Sequence, residues 1–243
     1  MQVRFLGTGA ADWNGPDAKK GYRRFTSTLL DDELLLDVTE TVLDQIPASA
    51  AIRDVFFTHS HRDHFQIHAL QALAPCRVYA HKSWAHDIQG EGLTVVALEE
   101  GIPVQAGDFT VMPMPSNHST ERPEEVTLHF LIEKAGCRVF YATDGAWLRN
   151  EEKHMLDGKV LNAAIFDATI GDLVEGDFRI FEHNSVEMVR LMVKSMQKTG
   201  ILGANTPVFL THLACTLHPN QKALEESLEK PLEACYDGRT VQI

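Results

Sequence analysis

The feature that most constrains this chain is the junction at which Asp54-Val55-Phe56-Phe57 runs into Thr58-His59-Ser60-His61-Arg62-Asp63-His64. The apolar run has the character of a buried strand, so the polar run must lie on the loop at its tip. Three imidazoles and a carboxylate are then confined to seven residues. His59 and His61 are two apart, and on extended backbone they point the same way. Asp63 and His64 follow where the loop should turn into a helix, so they can face a second ion. Neutral imidazole plus ionised carboxylate is the donor set of Zn²⁺ and its first-row neighbours. A solvated His-rich turn would not need this spacing, and the segment predicts a metal-dependent hydrolase.

Three more candidate ligands follow short apolar runs farther along. They are His118 in Pro115-Ser116-Asn117-His118-Ser119, Asp144 in Tyr141-Ala142-Thr143-Asp144-Gly145, and His212 in Phe209-Leu210-Thr211-His212. The chain opens on Val3-Arg4-Phe5-Leu6-Gly7-Thr8-Gly9-Ala10, a strand followed by a glycine turn. In this order the motifs resemble those of the metallo-β-lactamase superfamily, over nearly the whole chain. The resemblance implies a four-layer αββα sandwich over residues 1–243. It also implies two divalent ions, Zn²⁺ or Mn²⁺. His59, His61 and His118 would hold the first, Asp63, His64 and His212 the second, and Asp144 would bridge them. Hydroxide generated between such ions is a strong nucleophile near neutral pH, so Asp63 counts among the catalytic candidates as well as the ligands.

Composition bounds the partners. At 243 residues the length suffices for one well-filled domain. A hydrophobic content of 44% and a charged content of 23% are ordinary for a globular protein. No stretch approaches the roughly 20 apolar residues of a membrane span. Cys76, Cys137, Cys215 and Cys235 are scattered, without a CxxC pair. They suit reduced thiols in a cytoplasmic protein, and the lack of a basic-plus-apolar leader points the same way. The net charge of −12 would repel long nucleic acid, and no Lys/Arg run exceeds the doublets Lys19-Lys20 and Arg23-Arg24. A small anionic substrate drawn in by the metals fits better, with no membrane partner; a second copy in a homodimer is compatible.

Strand patterns dominate early, at Val3–Leu6, Thr26–Leu30, Glu33–Val38 and Val55–Thr58. A helix is expected over 65–73, stopped by Pro75, before a strand at Arg77–Ala80. Further strands fall at Gly92–Leu98 and Phe109–Met114. Thr127–Glu133 and Arg138–Ala142 form a hairpin through Ala135-Gly136. Residues 148–157 suggest a surface helix and Val160–Phe166 a buried strand. Val186, Val189, Met192, Val193 and Met196 stand at helical spacing over 184–199, and a last helix follows Pro219.

Two features bear on the reaction. Phe166-Asp167-Ala168-Thr169, with His183-Asn184-Ser185 ahead of the long helix, resembles a pair of motifs in one branch of the superfamily. That branch contains the tRNA 3′-processing nucleases and the cyclic phosphodiesterase of the carbon–phosphorus lyase pathway. By that resemblance His183 would protonate the leaving alkoxide and Asp167 would orient it. A general acid contributes about 10²–10⁴-fold, which a poor alkoxide leaving group requires. The Gly- and Lys/Arg-rich arm by which the nucleases grip tRNA has no counterpart here, nor does a cysteine-rich zinc loop. The expected reaction is hydrolysis of a small or cyclic phosphodiester; thioester or lactone hydrolysis and RNA processing are the alternatives.

Other residues carry plainer expectations. Arg23 and Arg24 suit a solvated turn, with a bidentate hold on phosphate as the alternative. Trp13 and Trp147 are packing residues that could reach the mouth of the site, and His218 is six residues beyond His212. His68, His81, His86, His129 and His154 are taken as structural, and Glu99, Glu100, Glu225, Glu226 and Glu229 as an acidic solvated face.

Overall fold

A computed structural model describes residues 1–17, 19–172 and 176–243. In chain order the strands are β1 (Gln2–Gly7), β2 (Ser27–Leu30), β3 (Leu34–Leu36), β4 (Asp54–Phe56), β5 (Cys76–His81) and β6 (Leu93–Leu98). Then come β7 (Val104–Ala106), β8 (Phe109–Pro115), β9 (Leu128–Lys134), β10 (Cys137–Ala142), β11 (Ala163–Asp167), β12 (Val208–Thr211), β13 (Leu232–Ala234) and β14 (Thr240–Gln242). The helices are α1 (Ile67–Gln71), α2 (Asn150–Leu156), α3 (Val186–Lys198) and α4 (Gln221–Ser227).

Two seven-stranded mixed sheets result, ordered β14-β1-β2-β3-β4-β5-β6 and β13-β12-β11-β10-β9-β8-β7. Three apolar layers account for their stacking. Between the sheets lie Phe5, Leu30, Phe56 and Tyr79 of one and Phe109, Phe130, Tyr141 and Phe209 of the other. The Phe56 ring stacks on Tyr79 at 4.1 Å and meets Phe130 edge-on at 5.6 Å. Outside the second sheet, Val186, Val189, Met192, Val193 and Met196 of α3 cover Phe140, Phe166 and Leu210. Outside the first, Ala69 and Leu70 of α1 join Phe57 and Trp84 over Leu29, Leu35 and Val55. This is the αββα sandwich that the motifs imply.

Local chemistry explains the connections. At the Ala135-Gly136 turn both φ angles are positive, 51° and 79°, which is the backbone that matches strand twist in a two-residue hairpin. The Ser185 hydroxyl accepts from the Met188 amide at 3.1 Å and caps α3. The helix expected over 65–73 is shorter, five residues, because Phe65 is drawn into a parallel bridge with Val38. Strands β7, β13 and β14 were not anticipated; three residues each are too few to show a period.

The topology matters most at one end. Strands β3, β4 and β5 run parallel, as do β10, β11, β12 and β13. β8 pairs antiparallel to β9, which is antiparallel to β10, so β8 also shares their direction. The C-terminal tips of β3, β4, β8, β10, β11 and β12 therefore gather at one edge of the sandwich. Among the described residues, no helix is long and apolar enough to cross a membrane.

Because Phe56 joins the two sheets, its replacement tests the stacking. Phe56→Ala should lower the unfolding free energy by about 3–5 kcal/mol, read as a lower urea midpoint at unchanged slope. Val95→Ala on the exposed edge strand should change it by no more than about 0.5 kcal/mol. Equal effects would mean that the inter-sheet layer is not what holds the sandwich closed.

Candidate metal centre

Four strand tips, those of β4, β8, β10 and β12, deliver the expected ligands to one place. His59 Nε2 lies 2.9 Å from His61 Nδ1, which lies 3.2 Å from His118 Nε2. These three nitrogens form one cluster, within 4.8 Å of one another. Donor atoms of Asp63, His64 and His212 form a second such cluster. His64 Nε2 is 3.5 Å and His212 Nε2 3.4 Å from Asp63 Oδ2. Asp144 stands between the two sets, its Oδ2 3.4 Å from His59 Nε2 and 2.6 Å from His64 Nε2. All seven candidate ligands from the sequence thus surround one point.

The donor chemistry fits divalent ions. His64 Nε2 and Asp144 Oδ1 are buried and have no hydrogen-bond partner among the described residues. An orphaned buried nitrogen beside an orphaned buried carboxylate oxygen is costly unless a cation satisfies both. Burial, with the neighbouring imidazoles, holds His59 well below its ordinary value, and burial brings His118 down to about 4. Both rings are neutral donors at physiological pH. Burial opposes ionisation of Asp63 and Asp144, but the imidazoles beside them outweigh it and hold both carboxyls well below the usual range. His59, His61 and His118 would hold one ion, Asp63, His64 and His212 the other, with Asp144 shared.

A second layer fixes the rings, and much of it was invisible in the sequence. His64 Nδ1 donates to Asp37 Oδ2 at 2.9 Å, while Asp37 Oδ1 accepts the Thr58 amide at 2.9 Å. The Thr58 hydroxyl reaches His59 Nδ1 at 2.9 Å. Asp37 therefore orients the two sets at once, from the tip of β3. Its one sequence signal is a carboxylate directly after Leu34-Leu35-Leu36. Glu125 holds the loop itself, accepting the Ser60 amide at 2.7 Å. Asn184 and Asn117 pin the turn after β10. Their side-chain amides donate to the carbonyls of Gly145 at 2.7 Å and Ala146 at 2.9 Å.

His183 and Asp167 form the remaining feature. His183 Nδ1 lies 2.8 Å from Asp167 Oδ2 and 3.5 Å from Asp144 Oδ1. The Thr169 hydroxyl donates to Asp167 Oδ1 at 2.6 Å and sits 2.8 Å from His212 Nδ1, so it ties this pair to the second cluster. Burial disfavours charge on His183, but Asp167 and then Asp144 outweigh it and hold the imidazole well above its ordinary range. With Nδ1 engaged, Nε2 is the nitrogen left for a substrate. A cavity of about 190 Å³ opens over the site, lined by His61, Asp63, His118, Asp144, His183 and His212 along with Ala10, Ala11, Asp12, Thr169, Arg179 and Glu182.

Several other residues lie elsewhere than expected. Arg23 is not on a solvated turn and does not line the cavity. It is buried, its Nη1 donating to the Thr8 hydroxyl at 2.6 Å and to the Cys235 carbonyl at 2.9 Å. Arg24 forms a two-toothed pair with Asp44, at 3.1 and 2.8 Å. His218 is buried, its Nε2 2.6 Å from the Ala168 carbonyl oxygen, and it is not among the cavity-lining residues. Trp13 is buried and donates to the Leu213 carbonyl at 2.7 Å. Trp147, 43% exposed, lines a separate apolar groove between α2 and α3. His129 pairs with Glu152 and His81 with Glu100, so Glu100 is not simply solvated.

The chain belongs to the β-lactamase superfamily: the model of the Beta-lactamase superfamily domain matches residues 34–202, well over half of its length. Solved structures agree over essentially the whole chain. One is described as a new diphosphatase from the PhnP family (TM-score 0.72, 16% identity, 99% of this chain and 97% of that one). Another is Zn²⁺-bound PqqB from Methylobacterium extorquens (TM-score 0.72, 18% identity, 100% of both chains). A third is the short form of human tRNase Z (TM-score 0.69, 17% identity, 100% and 99%). At such identities the likeness is one of fold. No curated protein matches the sequence.

Asp37 supplies the test of this centre. Protein purified without chelator should carry about two divalent ions per chain. Asp37→Asn should lower affinity for the ion at His64 by about 10- to 100-fold, measured by competition with a chromophoric chelator. Unchanged affinity would show that the Asp37–His64 contact serves packing alone.

Proposed function

We propose that the protein is a metal-dependent phosphodiesterase acting on a small or cyclic phosphodiester. The observation that carries this reading is the buried Asp167–His183 pair, 2.8 Å apart, beside Asp144 in the metal cavity. Thioester hydrolysis expels a thiolate, which departs without a proton and has no use for such an acid; a lactone expels an alkoxide, as a phosphodiester does. An alkoxide leaving a phosphodiester needs its proton.

Divalent ions held by this ligand set would supply an activated water and charge to offset that of a phosphate. The chain's own residues do the rest. Asp167, fully buried and locked by the Thr169 hydroxyl and amide, fixes the His183 ring and its tautomer. It also stabilises the charged imidazolium, so a proton waits at Nε2 for the departing oxygen. His183 keeps 14% of its side chain exposed, enough to meet a substrate in the cavity but too little to be levelled by bulk water. The small cavity and the net charge of −12 favour a compact anionic substrate over RNA. The diphosphatase title of one structural neighbour is in keeping with phosphorus chemistry in this fold.

His183→Ala tests the assignment. It should leave both ions bound and lower kcat by about 10²-fold or more for substrates with alkoxide leaving groups. With bis(p-nitrophenyl) phosphate, whose p-nitrophenolate departs unaided, the loss should be much smaller. Asp167→Asn should show the same dependence more weakly. Equal losses on both substrates would rule out an acid role, and turnover of thioesters or lactones with none of phosphodiesters would overturn the reading as a whole.

A further inference from the structure

Behind the turn that follows Asp144 lies a buried acid–base pair that the chemistry above does not use. His129, on β9 between the strands that end near His118 and Asp144, is buried, with its Nδ1 donating to Glu152 Oε1 at 2.5 Å. Glu152 is buried too, and its other oxygen accepts the Arg149 amide at 2.8 Å, where α2 begins. The far nitrogen of the ring, Nε2, is buried with no hydrogen-bond partner among the described residues. Stability alone does not call for this arrangement. Apolar side chains of similar volume often replace a buried ion pair without loss, and an unpartnered buried nitrogen only adds to the cost. What the pair achieves is a ring fixed in one pose, and Gly145 shows where that ring bears. Gly145 has no positive φ, so backbone freedom does not explain a glycine at this position. Space does. A Cβ here would lie 2.8 Å from His129 Nε2 and 2.9 Å from Cε1, closer than side-chain carbons are found. The ring therefore packs directly against the residue next to Asp144.

The same turn is held by its carbonyls, through Asn184 on Gly145 at 2.7 Å and Asn117 on Ala146 at 2.9 Å. Hydrogen bonds of that kind draw a loop in; a rigid ring in contact with it decides where it stops. We propose that His129, locked by Glu152, is a positioning residue for Asp144 and fixes where the shared carboxylate stands between the two ligand clusters. His129 is in neither cluster and does not line the cavity, so it acts through Gly145. A carboxylate shared by two ions must meet both at once, which requires that it be held within about 0.5 Å of its working place. The inference rests on Asp144 as the ligand common to both ions and is independent of what the protein hydrolyses.

The test reads the metals rather than turnover, in the full chain. Zinc affinity is measured by competition with a chromophoric chelator, and the visible spectrum of the cobalt(II)-loaded protein reports coordination geometry. His129→Asn keeps a side-chain amide to meet Glu152 but removes the far half of the ring. It should lower zinc affinity by about tenfold and change the cobalt spectrum. Gly145→Ala, which forces a methyl group against the ring, should lower affinity by at least as much. The two combined should bind zinc no more than about twofold worse than His129→Asn alone, because the methyl then fills space that the ring has left; such coupling marks groups in contact. Zinc affinity and a cobalt spectrum unchanged in His129→Asn overturn the inference, whatever its urea midpoint, and this variant decides even if Gly145→Ala does not fold. Losses that simply multiply overturn it as well. Both outcomes leave the metal centre standing, whereas a wild type that binds neither zinc nor cobalt overturns the centre and the inference together.

Discussion

Everything at the site is arranged around Asp144. Its carboxylate is buried and lies within 3.5 Å of nitrogens of His59, His64, His183 and His212. A carboxylate removed from water is expensive unless paired and hydrogen-bonded on every side. Four imidazoles from three separate stretches of chain surround it, yet Oδ1 has no hydrogen-bond partner among the described residues, a gap that a cation would fill. The pairing also sets the geometry of the chemistry, because a residue that touches both ligand clusters and the His183 ring keeps them in fixed relation. Displacing Asp144 would disturb both clusters and the His183 ring together.

Backbone strain is placed where this convergence requires it. Asp37, Asp144 and His212 have positive φ, at 56°, 60° and 56°. Non-glycine residues seldom adopt this region, and Asp and His tolerate it better than most. Asp37 and His212 sit one residue beyond a strand and Asp144 two, at the point where the chain must turn sharply to present its side chain over the sheet edge. A glycine would bend as readily but would bring no ligand. The cost, of order 1–3 kcal/mol each, is offset by the hydrogen bonds that lock these tips, such as Asn184 and Asn117 on the carbonyls after Asp144.

What was legible in the sequence follows from how local it was. His59, His61, Asp63 and His64 lie in one stretch and show themselves by spacing, whereas His118, Asp144 and His212 each follow an apolar run and were picked out by the resemblance in motif order. Asp167 and His183 came from motif resemblance, and the structure puts them 2.8 Å apart. Asp37 and Glu125 escaped notice because they act through partners 27 and 65 residues away, which no local pattern encodes. Arg23 shows the opposite error: its doublet with Arg24 suggested a wet turn, but long-range acceptors at Thr8, Cys235 and Gln221 take it into the interior. Three-residue strands at the sheet edges were lost for a simpler reason, since a period of two needs more than three positions to be seen.

Charge balance ties the metal centre to the choice of substrate. Asp37, Asp63, Asp144 and Asp167 are four buried carboxylic groups within one network of imidazoles. His59 and His118 are driven toward neutrality by burial, so they cannot compensate. The carboxylates of Asp144, Asp63 and Asp37 raise the affinity of His64 for a proton despite its burial, which means that the same spot attracts any cation. The charges of two divalent ions would offset the carboxylates of this network, and metal and proton would compete for the same nitrogens. A centre so balanced presents no net repulsion to an anion, even in a chain of net charge −12. Whatever selectivity the protein has for more highly charged substrates must then come from a cation outside the ligand set. Among the described residues lining the cavity, the candidates are the imidazolium of His183 and the guanidinium of Arg179. Both lie on the same short segment, where the His183 amide donates to the Arg179 carbonyl at 2.8 Å.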